Sequence, residues 1–110
     1  MAIYSNITID QGTDYSATID VTDTDGDALN LTGYTAAGQI RKTYSSSTKV
    51  DFTAAIANAS AGQVSISLTS AVTDAMKAGR YVYDLEVTSS AGTKTRVLEG
   101  QIEVMPGVTR

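Results

Sequence analysis

The 110-residue sequence contains no cysteine, no histidine and no tryptophan, and it has a single proline. The missing cysteine excludes disulfides. The missing thiol and imidazole together exclude the common zinc and iron–sulfur ligand sets and the Ser-His-Asp and Cys-His catalytic arrangements. No apolar run approaches the roughly 18 residues of a membrane span, and no charged-then-apolar signal opens the chain. We therefore expect a soluble globular protein without cofactor, metal or membrane association.

Length and charge narrow the class further. A chain of 110 residues suits one domain, and a domain of this size buries roughly two thirds of the surface its unfolded chain exposes. Twelve carboxylates against eight bases give a net charge of −4, the wrong sign for holding a phosphate backbone. We therefore expect no nucleic-acid partner.

Apolar and polar residues alternate with a period of two along most of the chain, the pattern of half-buried strands. Turn residues such as Gly12, Gly26 and Gly62 separate these segments. The predicted strands cover residues 3–9, 15–21, 34–41, 50–56, 63–69, 81–87 and 98–104. About seven short strands with turns between them predict an all-β fold, an antiparallel two-sheet β-sandwich. We assign this domain to residues 1–105 and a C-terminal tail to residues 106–110, because Pro106 ends sheet pairing.

One segment departs from the period of two. Val72 and Met76 are four residues apart, Ser70 is a candidate N-cap, Lys77 is placed for the C-terminal end, and Gly79 is placed to follow the last turn. These signals predict one short helix near residues 70–78. Residues 29–34 are predicted to cross one end of the sandwich without forming a strand.

Two packing features involve aromatic residues. Tyr81 follows Gly79 at the start of the penultimate strand, the spacing of a tyrosine corner, and the alternative is that Tyr81 simply fills the core. The small residue Gly38 predicts the close approach of a bulky ring, either a tyrosine or Phe52. Only Tyr4 and Tyr44 are predicted to expose their rings.

The acidic residues form no recognisable catalytic or metal site. A calcium loop could use Asp23, Asp25 and Asp27, but an EF-hand needs glycine at its sixth position, and a hairpin turn explains these residues better. Four more carboxylates occupy the polar phase of the last two strands, where solvated outer faces explain them better than acid–base catalysis does. They are Asp84, Glu86, Glu99 and Glu103.

The outward strand positions and the C-terminal tail are the parts of the sequence that suggest docking onto a partner. Serine and threonine are frequent at outward strand positions, which suits either inert surface or a wet docking surface for protein or glycan. Met105 and Val108 follow the last predicted strand, and their apolar side chains would bury little surface in a free tail unless they pack on a partner. We therefore predict a partner-docking segment formed by Met105, Pro106, Val108 and Arg110.

Several segments in order resemble the immunoglobulin-like N-terminal domain of phage baseplate upper proteins. They are QGTDY at 11–15, DG at 25–26, LNLTGY at 29–34, QIR at 39–41, VSISLT at 64–69 and GRYVYD at 79–84. The ending, from Leu98 to Arg110, is similar to that of small virion proteins of tailed phages. The resemblance spans nearly the whole chain and lies in the order and spacing of turn glycines and core positions.

The resemblance implies an immunoglobulin-like, non-enzymatic virion component with no catalytic residues. It implies docking onto other phage structural proteins at the tail, baseplate or neck, in symmetric copies or as a homo-oligomer. Such domains commonly continue into a fibre, whereas this sequence ends at Arg110, which favours a stand-alone adaptor, collar or head-decoration protein. The alternatives are a capsid decoration protein and, from the hydroxyl-rich surface, a bacterial adhesion or carbohydrate-binding sandwich.

Overall fold

The computed structural model describes residues 3–23 and 25–108. Within those ranges the chain forms nine strands and one helix. In order they are β1 (Ile3–Tyr4), β2 (Ile7–Asp10), β3 (Tyr15–Asp20), β4 (Thr35–Arg41), β5 (Lys49–Asp51), β6 (Thr53–Asn58), β7 (Gln63–Leu68), α1 (Ser70–Ala75), β8 (Gly79–Thr88) and β9 (Lys94–Met105). The prediction of a mostly β chain with one short helix is confirmed.

The strands form two sheets that pack as a sandwich. The larger sheet has the order β1-β9-β8-β4-β5, with β2 also paired to β9, and the smaller sheet has the order β3-β7-β6. The connectivity of β4, β8 and β9 on one side and of β3, β6 and β7 on the other is that of an immunoglobulin-like sandwich. Two pairings depart from the antiparallel prediction, because β1 and β2 both run parallel to β9.

Two of the seven predicted strands are each interrupted, which raises the number of strands. Residues 3–9 break at Ser5, whose amide donates to the Glu99 carbonyl at 2.8 Å while the chain passes over Gly100. The segment near residues 50–56 breaks at Phe52, because β5 pairs with β4 in the larger sheet and β6 pairs with β7 in the smaller one. That segment therefore changes sheets instead of continuing as one strand.

The core lies between the two sheets, and Phe52 is one of its buried aromatic residues. Its ring meets the Tyr83 ring edge-on, with centroids 6.1 Å apart and planes at 78°. A Cβ atom at Gly38 would lie 3.0 Å from the Phe52 ring, so the prediction that Gly38 makes room for a bulky ring is confirmed, and the ring is that of Phe52. The side chains buried most completely are Ile9, Leu31, Ile40, Val64, Ile66, Thr73, Leu85, Val87, Ile102 and Val104.

The helix is shorter than predicted and is capped differently. It ends at Ala75, because Met76 is buried in the core and adopts an extended conformation (φ −83°, ψ 131°) that turns the chain toward β8. The predicted Ser70 cap is wrong, since Thr69 holds the N-cap position without a side-chain bond. The Ser70 amide donates instead to the Asp14 carboxylate at 2.6 Å.

A buried hydroxyl ties α1 to the turn between β2 and β3. Thr73 is fully buried, and its Oγ1 donates to the Thr13 carbonyl at 2.7 Å and accepts from the Gly12 amide at 3.1 Å. Because a buried polar group needs its partners, these bonds fix the position of the short helix against the sandwich.

The connection from β3 to β4 crosses from the smaller sheet to the larger one. Leu31 is 1% exposed and its amide donates to the Ala59 carbonyl at 2.8 Å. The Val21 amide donates to the Gly62 carbonyl at 2.7 Å, and the Leu29 amide donates to the Val21 carbonyl at 3.0 Å. The crossing predicted for residues 29–34 is therefore present and is held by backbone bonds to the β6–β7 turn.

Candidate functional site

The outer face of the larger sheet gathers polar and charged side chains in rows. Along β8 the side chains of Tyr83 and Leu85 are buried, while Val82 and Asp84 are half-buried on the opposite face. The register places Gln39 of β4 beside Asp84 and places Arg41 beside Val82. Because side chains alternate between the faces of a strand, four side chains share the outer face: Gln39, Arg41, Val82 and Asp84.

The two arginines of this region are held by neighbouring acceptors. Arg96 of β9 lies with its Nε 3.3 Å from Asp84 Oδ2 and its Nη1 3.7 Å from Glu99 Oε1. Arg41 donates from Nη2 to Gln39 Oε1 at 3.0 Å and from Nη1 to the Ser46 carbonyl. The guanidinium planes are therefore oriented before any ligand arrives, although the ion pairs themselves, being half exposed, contribute little to stability.

These side chains surround a depression on the outer face of the larger sheet, which we call the Tyr44 depression. It has a volume of about 200 Å³ and is lined by Gln39, Arg41, Tyr44, Val82, Asp84 and Arg96, with Tyr83 beneath. Tyr44 comes from the β4–β5 loop and leaves 80% of its surface exposed, as predicted for this ring. Tyr4, the other ring predicted to be exposed, is 61% exposed.

A second depression lies farther along the same face, and we call it the Arg80 depression. It has a volume of about 190 Å³ and is lined by Asn6, Ile7, Thr8, Arg80, Gln101 and Glu103. It matches the Tyr44 depression in volume but has less apolar surface and no aromatic ring among these lining residues. The two depressions therefore form a natural comparison within one sheet.

The outer face of the smaller sheet is different in character. Its side chains are small and uncharged across the middle of the sheet. They form two rows, Ser16 with Ser67 and Thr53, then Thr18 with Ser65 and Ala55. The hydroxyl-rich outward positions of the sequence are thus concentrated on this sheet, while the charges are concentrated on the other.

The four carboxylates considered for acid–base work all lie on the larger sheet, each near a base. Asp84 and Glu99 contact Arg96. Glu86 lies opposite Arg96 in the register of β8 with β9, and Glu103 lies opposite Arg80. Opposite charges facing each other across neighbouring strands are a common way to stabilise a sheet surface.

The acidic turn is closed by hydrogen bonds between the Asp23 carboxylate and backbone amides of the turn. One carboxylate oxygen of Asp23 accepts from the amides of Asp25 at 2.9 Å and Asp27 at 3.1 Å, as in a side-chain-closed turn. No group of three or more potential metal-ligating side chains occurs among residues 3–23 and 25–108. In the same ranges no helix has the length and hydropathy of a membrane span.

The predicted docking segment begins at the end of β9. Met105 pairs with Asp10, and its side chain is 41% exposed, while Val108 is 96% exposed. Pro106 is exposed between them, and Arg110 lies outside the described residues. The structure therefore presents Met105 and Val108 to solvent at the same end of the sandwich.

Sequence reasoning missed Gln11, which holds this segment in place. Its Nε2 donates to the Met76 carbonyl at 2.8 Å, and its Oε1 accepts from the Gly107 amide at 3.2 Å. Its own amide donates to the Met105 carbonyl at 2.9 Å. Nothing in the local sequence signals this role, because the contacts join residues about 65 and 96 positions apart.

Tyr81 lies at the start of β8 as the sequence placed it. Its hydroxyl donates to the Lys77 carbonyl at 2.7 Å, four residues upstream, which is the type of contact that a tyrosine corner makes. The Lys42 ammonium lies 4.7 Å from the centre of the Tyr81 ring. The ring therefore braces the connection from α1 to β8 and also contacts the β4–β5 loop.

Tyr83, beneath the Tyr44 depression, gives the protein an alkaline sensitivity. Burial raises the pKa of Tyr83 to about 12 from 10.0, and the Tyr83 hydroxyl donates a hydrogen bond to the Ser5 carbonyl at 2.6 Å. Burial also raises the pKa of Tyr15. The unfolded chain ionises the Tyr83 phenol first, so the stability that Tyr83 contributes is complete below about pH 10 and is lost toward pH 12.

We expect the free energy of unfolding to fall by about 2 kcal/mol between about pH 9 and pH 12 through Tyr83 alone. Denaturant titrations followed by circular dichroism at several pH values measure this slope. Tyr83→Phe should flatten the slope while lowering stability at neutral pH by about 1 kcal/mol, because the Ser5 carbonyl loses its donor. An unchanged slope in Tyr83→Phe would contradict the assignment.

The fold and its outer surfaces define a two-sheet β-sandwich domain with polar outer faces. The LtfC-like, beta-sandwich domain model matches residues 2–105, so the chain belongs to this family. LtfC is a phage tail-associated protein, and the match supports the phage-type β-sandwich that the resemblance predicted. The narrower resemblance to baseplate upper proteins stays a prediction.

No curated protein matches the sequence. An internalin-like protein of Listeria monocytogenes is 14% identical with a TM-score of 0.47, and the match covers 96% of this chain and 28% of that one. A family 123 glycoside hydrolase of Clostridium perfringens is 14% identical with a TM-score of 0.44, over 97% of this chain and 24% of that one. The chain spans about a quarter of the length of each, and these weak similarities carry no functional argument.

Proposed function

We propose that this chain is a non-enzymatic structural component of a tailed-phage virion that docks onto other virion proteins at the tail, baseplate or neck. The observation that carries the proposal is the family match over residues 2–105, since LtfC is tail-associated. Docking proteins of this kind work by complementary surfaces.

The segment that follows β9 is the proposed docking element. Met105 and Val108 are exposed apolar side chains, and Pro106 between them restricts the backbone. Gln11 fixes the direction in which this segment leaves the sandwich, through its bonds to the Gly107 amide and the Met76 carbonyl. A segment that is already oriented loses less conformational entropy when a partner covers its apolar side chains.

We further propose that several copies occupy symmetric positions on one particle. Each exposed apolar side chain that a partner covers contributes on the order of 1–2 kcal/mol, so a single contact of this size is weak. Copies placed side by side on one particle make such contacts sufficient, because the local concentration of attachment sites is high.

The test uses a phage from which the gene for this chain has been deleted, so that the chain or its variant is supplied only from a plasmid. The variant carries Met105→Ser and Val108→Ser, and we expect its copy number per particle, measured by mass spectrometry of purified virions, to fall about tenfold or more. Ile3→Ser is the matched control, because Ile3 is exposed and apolar but lies away from the C-terminal segment, and its incorporation should equal that of the wild type.

The two parts of the proposal fail separately. Absence of the wild-type chain from purified particles would reject the virion assignment. Full incorporation of the double variant, with thermal unfolding showing that it is folded, would reject the docking role of Met105 and Val108 alone. Electron microscopy of intact particles then distinguishes a tail, baseplate or neck position from capsid decoration.

A further inference from the structure

The Tyr44 depression is a small hollow in the outer face of the larger sheet, half open to solvent. Its volume of about 200 Å³ accommodates one six-membered sugar ring and is too small for a helix or strand of a partner protein. Three adjacent strands supply its floor and walls, so the groups around it are held by the sheet. Sites built on rigid strands position ligands better than sites built on loops alone.

The polar groups in the depression are planar, and several are fixed by one another. Gln39 Oε1 accepts from Arg41, and Asp84 Oδ2 lies 3.3 Å from Arg96 Nε. Each guanidinium carries five N–H donors, and a carboxylate has lone pairs beyond those that one partner uses. Donors and acceptors therefore lie side by side, which matches neighbouring hydroxyl groups, since each hydroxyl both donates and accepts.

The charges around the depression balance. Of the lining residues, Arg41 and Arg96 are positive and Asp84 is negative. Glu99 lies outside the lining but contacts Arg96, and it contributes the second negative charge. A strongly acidic or basic ligand would meet one unfavourable partner for each favourable one. An uncharged ligand with several hydroxyls can use both kinds of group.

The apolar part of the depression suits the C–H face of a ring. Val82 lies on the floor, and Tyr44 stands at the rim with 80% of its surface exposed. An exposed tyrosine offers a flat apolar face and a hydroxyl at its edge, with few side-chain torsions to immobilise on binding. The Arg80 depression, which has a similar volume, has less apolar surface and no ring among its lining residues.

From these observations we propose that the Tyr44 depression binds a single uncharged sugar residue, with Tyr44 against the ring face and Gln39, Asp84 and Arg96 bonding to hydroxyls. This inference is independent of the virion assignment. A ligand of this size and contact area binds in the millimolar range when it is presented alone. Repeated copies of the site would raise the effective affinity for a surface that carries many such sugars.

The test is titration of the isotope-labelled protein with neutral monosaccharides, including hexoses, a deoxyhexose and an N-acetylhexosamine, followed by amide chemical shifts. We expect saturable shifts at Gln39, Tyr44, Asp84 and Arg96 with at least one of them. Tyr44→Ala should weaken that binding about tenfold or more, and Tyr44→Phe should retain most of it because the ring face remains. Arg80→Ala, in the Arg80 depression, is the control and should leave binding unchanged.

Three results would overturn the proposal. One is the lack of any saturable shift up to about 100 mM of every sugar tested, far above a millimolar dissociation constant. Another is binding that Tyr44→Ala leaves intact or that maps to the Arg80 depression. The third is glucuronate binding about tenfold tighter than every neutral sugar, which would identify an anion site instead.

Discussion

Replacing Gly62 with alanine is expected to lower the free energy of unfolding by about 4 kcal/mol, the largest effect we predict for a single methyl group. A Cβ atom at Gly62 would lie 2.6 Å from the Val21 carbonyl oxygen and 2.7 Å from that of Leu29. Both are backbone atoms of the crossing between the sheets, so neither can move like a flexible side chain. The φ of +69° adds strain for any residue with a Cβ.

Gly26→Ala is the matched control for this substitution. Gly26 also has a positive φ, +87°, but a Cβ atom there would meet nothing within 4 Å, so only the conformational strain of roughly 1 kcal/mol remains. Denaturant unfolding measures both variants, and amide exchange at Val21 reports on the lost bond to the Gly62 carbonyl. Equal destabilisation of the two variants would show that the crossing yields to the added methyl group.

Gly100→Ala is expected to destabilise the fold by about 3 kcal/mol, through steric overlap alone. A Cβ atom at Gly100 would overlap the carbonyl oxygen of Ser5, where the chain passes between β1 and β2. That oxygen also accepts from the Tyr83 hydroxyl at 2.6 Å, and the Ser5 amide donates to the Glu99 carbonyl at 2.8 Å. Moving Ser5 aside breaks both bonds and detaches β1 from β9.

Gly92→Ala in the β8–β9 turn is the comparison for Gly100→Ala. A Cβ atom there has nothing within 4 Å and its φ is +90°, so we expect a loss of roughly 1 kcal/mol. Denaturant titration gives the two free energies, and hydrogen exchange at the Ser5 amide shows whether β1 has been released. A Gly100→Ala variant as stable as Gly92→Ala, with Ser5 still protected, would contradict the packing described here.

The fold was predictable where the pattern was local. Alternating apolar residues identified the strands, and Val72 and Met76 identified the helix, because burial of one face imposes a period on the sequence. The close approach of a bulky ring to Gly38 was predictable because a missing side chain in a strand implies a bulky neighbour. The sequence left a tyrosine and Phe52 as alternatives, and the structure shows that the ring is that of Phe52. The interruption at Phe52 was not predictable, since Phe52 continues the alternation while the chain changes its pairing partner from β4 to β7. The interruption at Ser5 has a local sign, because Ser5 is a polar residue at an apolar position of the alternation, but both flanking strands pair with β9.

The candidate site was predictable only in part. The exposed ring of Tyr44 and the polar phase of Asp84 followed from composition and period, but their meeting with Arg96 depends on the register of three strands. Asp14, whose carboxylate accepts from the first amide of α1, illustrates the same limit, because its contact with Ser70 joins residues 56 positions apart. Side chains that act across such separations have no signature in the neighbouring sequence.

The parallel alignment of β2 with β9 has a mechanical consequence. Ile7 pairs with Ile102 and Asp10 pairs with Met105, so tension applied to the two ends of the polypeptide pulls the paired strands past each other along their length. The bonds between them then resist together, whereas a hairpin pulled from its open end releases its bonds one at a time. Tension between the two ends of the chain therefore loads the β2–β9 pair in shear and does not separate its hydrogen bonds one after another.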